Sequence, residues 1–144
     1  MNGVVFDESK VALLTQQLAG GPFAGSNAVM MLLESVTTLD HTDTYASLVA
    51  NEVAFTGYAR QVLTGWTTPV LTSDYHARSQ ANTVTFSNTG GSDSPSITAW
   101  AFVDSAANKI LQAGLYDVAF VIPAGEDYLT TPFWQRTGEI ASEP

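Results

Sequence analysis

The sequence predicts a mainly β protein: an antiparallel, jelly-roll-like β-sandwich with one short N-terminal helix. Two observations carry that expectation. Beyond residue 25, β-branched and aromatic residues come in short runs separated by Gly, Pro, Asn and Ser, the spacing of strands joined by turns. One of those runs, residues 82–87, alternates cleanly, with Val84 and Phe86 on one face and Thr83 and Thr85 on the other. The length of 144 residues suits one domain, and a chain of that size buries about 68–70% of the surface its unfolded form exposes. The expected division is a helix or arm with a Gly-rich joint over residues 1–25 and the sandwich over residues 26–144.

The elements follow in order. Asp7 or Ser9 caps a helix whose apolar positions Val11, Leu14 and Leu18 recur at three- and four-residue spacing, and Gly20, Gly21 and Pro22 stop it. So short a helix does not stand alone in water, and it must pack on its own domain or on a neighbouring subunit. Strands are expected over residues 29–36, more weakly over 45–49, then over 58–64, 82–87, 97–103, 109–113 and 116–122, with a last near 128–134. NTGGSDSP at 88–95 has the composition of a loop, and residues 104–108 read as a tight connection. In SITAWAFVD, Trp100 falls opposite Ile97, Ala99, Ala101 and Val103, so both faces of that strand are largely apolar. It is expected to be covered twice, by a second sheet and by either the N-terminal helix or another subunit.

Composition narrows the function. Only 13% of residues are charged, against roughly 25% in an average domain, and the formal net charge is −9. Nucleic acid is not an expected partner, because affinity for phosphates comes from Lys and Arg releasing counterions. A membrane is not expected either: the longest apolar run, AVMMLL at 28–33, is far short of the roughly 20 residues of a spanning helix. Without cysteine there are no disulfides, thiolate metal sites or cysteine nucleophiles. MNGVVFDESK has no basic stretch before an apolar run, so no signal peptide is expected.

No catalytic, cofactor or metal site is expected. LDHTD, with Asp40, His41 and Asp43, and SDYH, with Asp74 and His76, read as polar loops rather than ligand sets. GxSxG is absent, and NTGG lacks the Lys and the spacing of a phosphate loop. Glu34, Glu52, Asp104 and Asp117 lie in or beside strands and read as carboxylates on solvated faces rather than an acid–base pair. Trp66, Trp100, Trp134, Tyr58 and Tyr75 offer the faces for a sugar platform. Trp100 fits a core or interface better, and Trp66 and Trp134, near strand ends, leave the choice open.

The stretch EVAFTGYARQVLTGW at 52–66 places Arg60, one of five basic residues, among β-formers. An arginine held there needs a partner, and Glu52 upstream is the natural one. Glu52, Tyr58, Arg60, Trp66, Trp100 and Trp134 are therefore the structural or interface candidates.

In order and spacing, Glu52, Gly57-Tyr58-Ala59-Arg60-Gln61, Trp66, Val84-Thr85-Phe86, Ile97-Thr98-Ala99-Trp100, Val103-Asp104, Ile110-Leu111 and Gly114-Leu115 resemble a family of small tailed-bacteriophage virion proteins. The resemblance covers about residues 8–125. The chain departs from the pattern at Gly125-Glu126-Asp127, where relatives carry a Gly-Asp pair, and in the tail WQRTGEIASEP, which has no counterpart. The resemblance implies a β-sandwich with no enzymatic role, assembled in the host cytoplasm into the virion. There it serves as a head decoration or cement protein, forming a homo-oligomer, with a trimer favoured, against the major capsid protein or other virion proteins. It implies as alternatives a tail, collar or fibre adaptor, and the aromatic residues leave a host-glycan module as a further one.

Overall fold

A computed structural model describes residues 28–71 and 77–136. The expected N-terminal helix and its Gly-rich joint lie outside these residues. The described chain is mainly β and antiparallel, with the elements β1 (Ala28–Glu34), α1 (Tyr45–Val49), β2 (Gln61–Val62), β3 (Val70–Leu71), β4 (Ala77–Gln80), β5 (Val84–Ser87), β6 (Ile97–Asp104), β7 (Lys109–Phe120), β8 (Asp127–Thr130) and β9 (Phe133–Arg136). The strands form a four-stranded sheet in the order β2-β1-β6-β7, a three-stranded sheet β3-β4-β9 and the pair β5-β8.

The centre of the molecule follows from the apolar run AVMMLL. Its side chains alternate across β1, so Ala28, Met30 and Leu32 enter one core while Val29, Met31 and Leu33 enter another. The first core gathers Val84 and Phe86 of β5 with Met30 and Leu32 of β1 and Phe102 of β6. The second gathers Ala99, Ala101 and Val103 from β6 under Val36 and Leu48. A strand buried on both faces has to be apolar along nearly its whole length, as β1 and β6 are apart from Glu34, Thr98 and Asp104.

Several expected strands differ in the structure. Residues 45–49 are a helix: Thr44 Oγ1 accepts from the Ser47 amide, and Ser47 Oγ accepts from the Thr44 amide, a reciprocal cap that starts the turn. This helix, through Leu48, lies on the second core. Of residues 58–64 only Gln61–Val62 form a strand. The strands at 109–113 and 116–122 are one continuous strand, because Gly114 stays in register with Trp100 instead of turning. Residues 128–134 divide at Thr131 and Pro132 into β8 and β9, the ring of Pro132 having no amide to donate. Strands β3 and β4 were not expected. Ile97, beside a register shift, joins the core of Phe102 and Trp100 rather than that of Ala99.

The remaining turns are as the composition predicts. Asp104 Oδ1 accepts from the amides of Ala106 and Ala107 at 3.0 Å each, closing the β6–β7 connection, and Asn108 takes the left-handed φ of 55°. Asn88 braces the loop at 88–95: its amide donates to the carbonyls of Ser92 and Ile122, and its Oδ1 accepts from Gly90 N–H.

Candidate functional site

The stretch from Asn51 to Leu63 runs along the outer edge of β1, and its pairing is interrupted. At one end the Leu63 amide donates to Ala28 O, and Val29 and Met30 pair with Val62 and Gln61. At the other end the Val53 amide donates to Leu32 O, Leu33 pairs with Glu52, and the Glu34 amide donates to Asn51 O. Between them residues 54–60 leave the edge in an excursion. The Leu32 N–H, which faces that gap, donates to the hydroxyl of Tyr58 at 3.2 Å. A side chain thus completes the ladder where the backbone cannot.

Gly57 makes the excursion possible. Its φ is +91°, and a Cβ there would stand 2.7 Å from Ser87 O and from Thr89 Oγ1. The turn places Tyr58 over the first core, its ring 5.3 Å from that of Phe55 and stacked at 6.0 Å on Phe86.

The same hydroxyl donates to Glu52 Oε1 at 2.7 Å. Arg60 reaches both oxygens of that carboxylate, Nε donating to Oε1 at 2.8 Å and Nη2 to Oε2 at 2.7 Å, and its Nη1 donates to the hydroxyl of Tyr45 at 2.8 Å. The fork-to-carboxylate geometry is the strong, bidentate form of the ion pair. Four side chains therefore tie the edge of β1, the excursion and α1 together, with the pair half shielded at 26% and 16% side-chain exposure.

Burial raises the Glu52 pKa, but hydrogen bonds from Arg60 and Tyr58 and the charge of Arg60 outweigh it, so the net shift is downward. Burial, reinforced by the bond to Glu52, pushes the Tyr58 phenol up, and its bond to Glu52 pushes the Arg60 guanidinium up. The cluster is held as carboxylate, phenol and guanidinium. A carboxylate made less basic, with both oxygens engaged, works as a tie rather than as a proton acceptor.

The structure thus brings Glu52, Tyr58 and Arg60 together, and packs Tyr58, Trp66 and Trp100 against the same core. Trp100 lies over Gly114 and 4.6 Å from the ring of Phe102. Trp134 lies in β9 opposite Ser79, away from the Glu52 cluster in the pairing. Tyr75, Asp74 and His76 lie outside the described residues. A shallow cleft of about 210 Å³ is lined by Met30, Trp100, Phe102, Tyr116 and the residues from Thr130 to Phe133. His41 is an exposed neighbour of Asp40, 3.1 Å from its carboxylate, and among the described residues no group of three or more His, Asp or Glu is placed to hold a metal.

Sequence reasoning missed Tyr45 and the Leu32 amide. Nothing in the spacing of a helix fifteen residues upstream of Arg60 marks Tyr45 as its partner. It also missed the second aromatic group, in which Tyr128 donates to the Tyr116 hydroxyl at 3.2 Å and packs 4.8 Å from the ring of Phe120.

No family model, no curated protein and no solved structure matches the chain.

Proposed function

We propose that the chain is a non-enzymatic structural protein of a tailed-phage virion, a capsid cement or decoration protein that stabilises the head shell. The supporting observation is where the resembling residues stand. Glu52 and the Gly57-to-Arg60 motif make the tie along β1, Val84-Thr85-Phe86 is the inner part of β5, Ile97 to Trp100 and Val103-Asp104 are β6, and Ile110-Leu111 with Gly114-Leu115 are β7. Each motif has a framing role, and the only cluster of ionised side chains among them is spent on internal bonds.

In this reading the four-stranded sheet and the β5–β8 pair are the two sheets of a β-sandwich, with Phe86, Phe102, Met30 and Leu32 between them. The partners are the major capsid protein or other virion proteins, together with copies of the same chain, in the trimer that the resemblance implies. A cement protein acts by adding buried surface across joints in the shell, which asks for a stiff frame and outward apolar side chains.

The test is the stability of particles assembled with and without the protein. Particles lacking it are expected to release their DNA at a lower temperature, and purified protein added back is expected to restore the release temperature. Release that is the same with and without the protein would reject the cement role in favour of a tail, collar or fibre adaptor.

A further inference from the structure

We propose that the outer margin of β7, from Leu115 to Val121, is a docking surface for an extended apolar segment of a different protein that carries Lys or Arg. Among the described residues β7 is the last strand of its sheet, paired with β6 alone. Its path is irregular where it matters: the stretch from Leu115 to Phe120 faces only the short step from Ile97 to Ala99. The surplus residues bow outward, as bulges do when they re-aim a side chain. They carry Val118, 78% exposed, between Leu115 and Val121, at 43% and 42%. Beside them lies a cavity of about 200 Å³ lined by Val36, Leu115, Tyr116 and Ala119. An open strand edge with outward apolar side chains is the template on which an extended chain adds, main-chain bonds giving affinity and side-chain sockets giving selectivity.

Charge decides the occupant. Lys109 is the single basic residue between Arg78 and Arg136; the exposed Asp117 lies within the apolar margin, and the exposed Glu126 and Asp127 precede Tyr128, whose ring packs on Tyr116 and Phe120 of β7. None of the three enters an ion pair among the described residues. A second copy seated here would set these carboxylates against their own kind, and like charges face to face select against a partner. An extended segment in which apolar residues alternate with Lys or Arg sets its apolar side chains on the margin and its cations toward these carboxylates. This inference deepens the proposed virion role by naming the chemistry of the neighbour, and it rests on that role only for where the neighbour is found.

The test uses the whole chain, isotope-labelled, titrated with a capped octapeptide of alternating Lys and Val. The comparison peptides are its Glu-Val counterpart and a block peptide of the same Lys and Val content. Amide shifts confined to residues 114–122 are expected, with affinity at least about tenfold weaker for both comparison peptides. Val118→Glu and Asp117→Lys are each expected to weaken binding about tenfold while the amide shifts of the buried cores stay in place. The proposal is overturned if the alternating peptide fails to bind, if shifts scatter over other acidic surfaces, or if the block peptide binds equally. A dimer in sedimentation that Val118→Glu dissolves would overturn it too, by giving the surface to a second copy. Absence of the protein from particle shells would reject the proposed function and leave this binding intact, so the two failures are separable.

Discussion

The indole of Trp100 fills the space that a side chain on Gly114 would need: a Cβ there would lie 2.6 Å from Trp100 Cζ2 and 2.8 Å from Cε2. The two residues are paired across β6 and β7. A glycine in the middle of a strand, ordinarily a weakness, is here the condition for seating a large ring over the neighbouring backbone.

Gly114→Ala therefore pushes the ring off its seat. The expected loss is about 1–3 kcal/mol, the range for overpacking, measured by urea unfolding and accompanied by a change in tryptophan fluorescence. In a Trp100→Leu background the same change is expected to cost clearly less, because the clashing atoms are gone. Equal costs in both backgrounds would show that the glycine is needed for another reason.

Arg60→Ala leaves the Glu52 carboxylate half shielded without its cation. Removing one partner of a fully buried pair costs about 3–5 kcal/mol, and partial exposure at this site screens the charge, so a loss of about 2–4 kcal/mol is expected. Arg60→Lys keeps the charge but loses the fork, and is expected to recover only part of the stability. An unfolding midpoint for Arg60→Ala equal to that of the parent chain would show that the tie contributes nothing.

Tyr58→Phe keeps the stacked ring and removes one oxygen that serves two partners. The Leu32 N–H and Glu52 Oε1 both lose a bond, for an expected loss of about 1–2 kcal/mol in the same unfolding measurement. Hydrogen exchange at Leu32 is expected to quicken more than at Met31, and an unchanged Leu32 rate would contradict the role given to the hydroxyl.

Acid should weaken the tie in a defined window. The Glu52 pKa in the folded chain is held below its ordinary 4.5, so the unfolded chain takes up this proton first as pH falls. The contribution of Glu52 is then whole above pH 4.5 and is lost as pH drops through the lowered folded value. Glu52→Gln is expected to be less stable at neutral pH and to show a shallower loss of stability below pH 4.5. Parallel pH profiles for the two proteins would contradict this assignment.

Much of this was legible where pattern and burial agree. The two apolar faces of β6 showed in the alternation of SITAWAFVD, and the pairing of Arg60 with Glu52 followed from the scarcity of cations. Part of the cover on the second face comes from α1, which the pattern did not predict. That helix hides in the sequence because its cap uses Ser47 where a Glu or Gln is the usual signature. β4 is hidden for a different reason: ARSQ buries only Ala77 and Ser79, small residues that carry no hydrophobic pattern. Gly114 fell in the expected break between strands at 109–113 and 116–122, because only its three-dimensional partner, Trp100, explains it. The Tyr58 hydroxyl is the deepest of these cases, since its partner is a backbone amide twenty-six residues away, exposed by an excursion that no local rule encodes.

The measurement that bears most directly on the proposed role is the copy number and position of the protein in intact particles, by quantitative gel and cryo-electron microscopy. A cement protein is expected in hundreds of copies, spread over the shell at joints between capsid subunits. A few copies confined to the tail or the portal vertex would contradict the cement role and make the chain an adaptor.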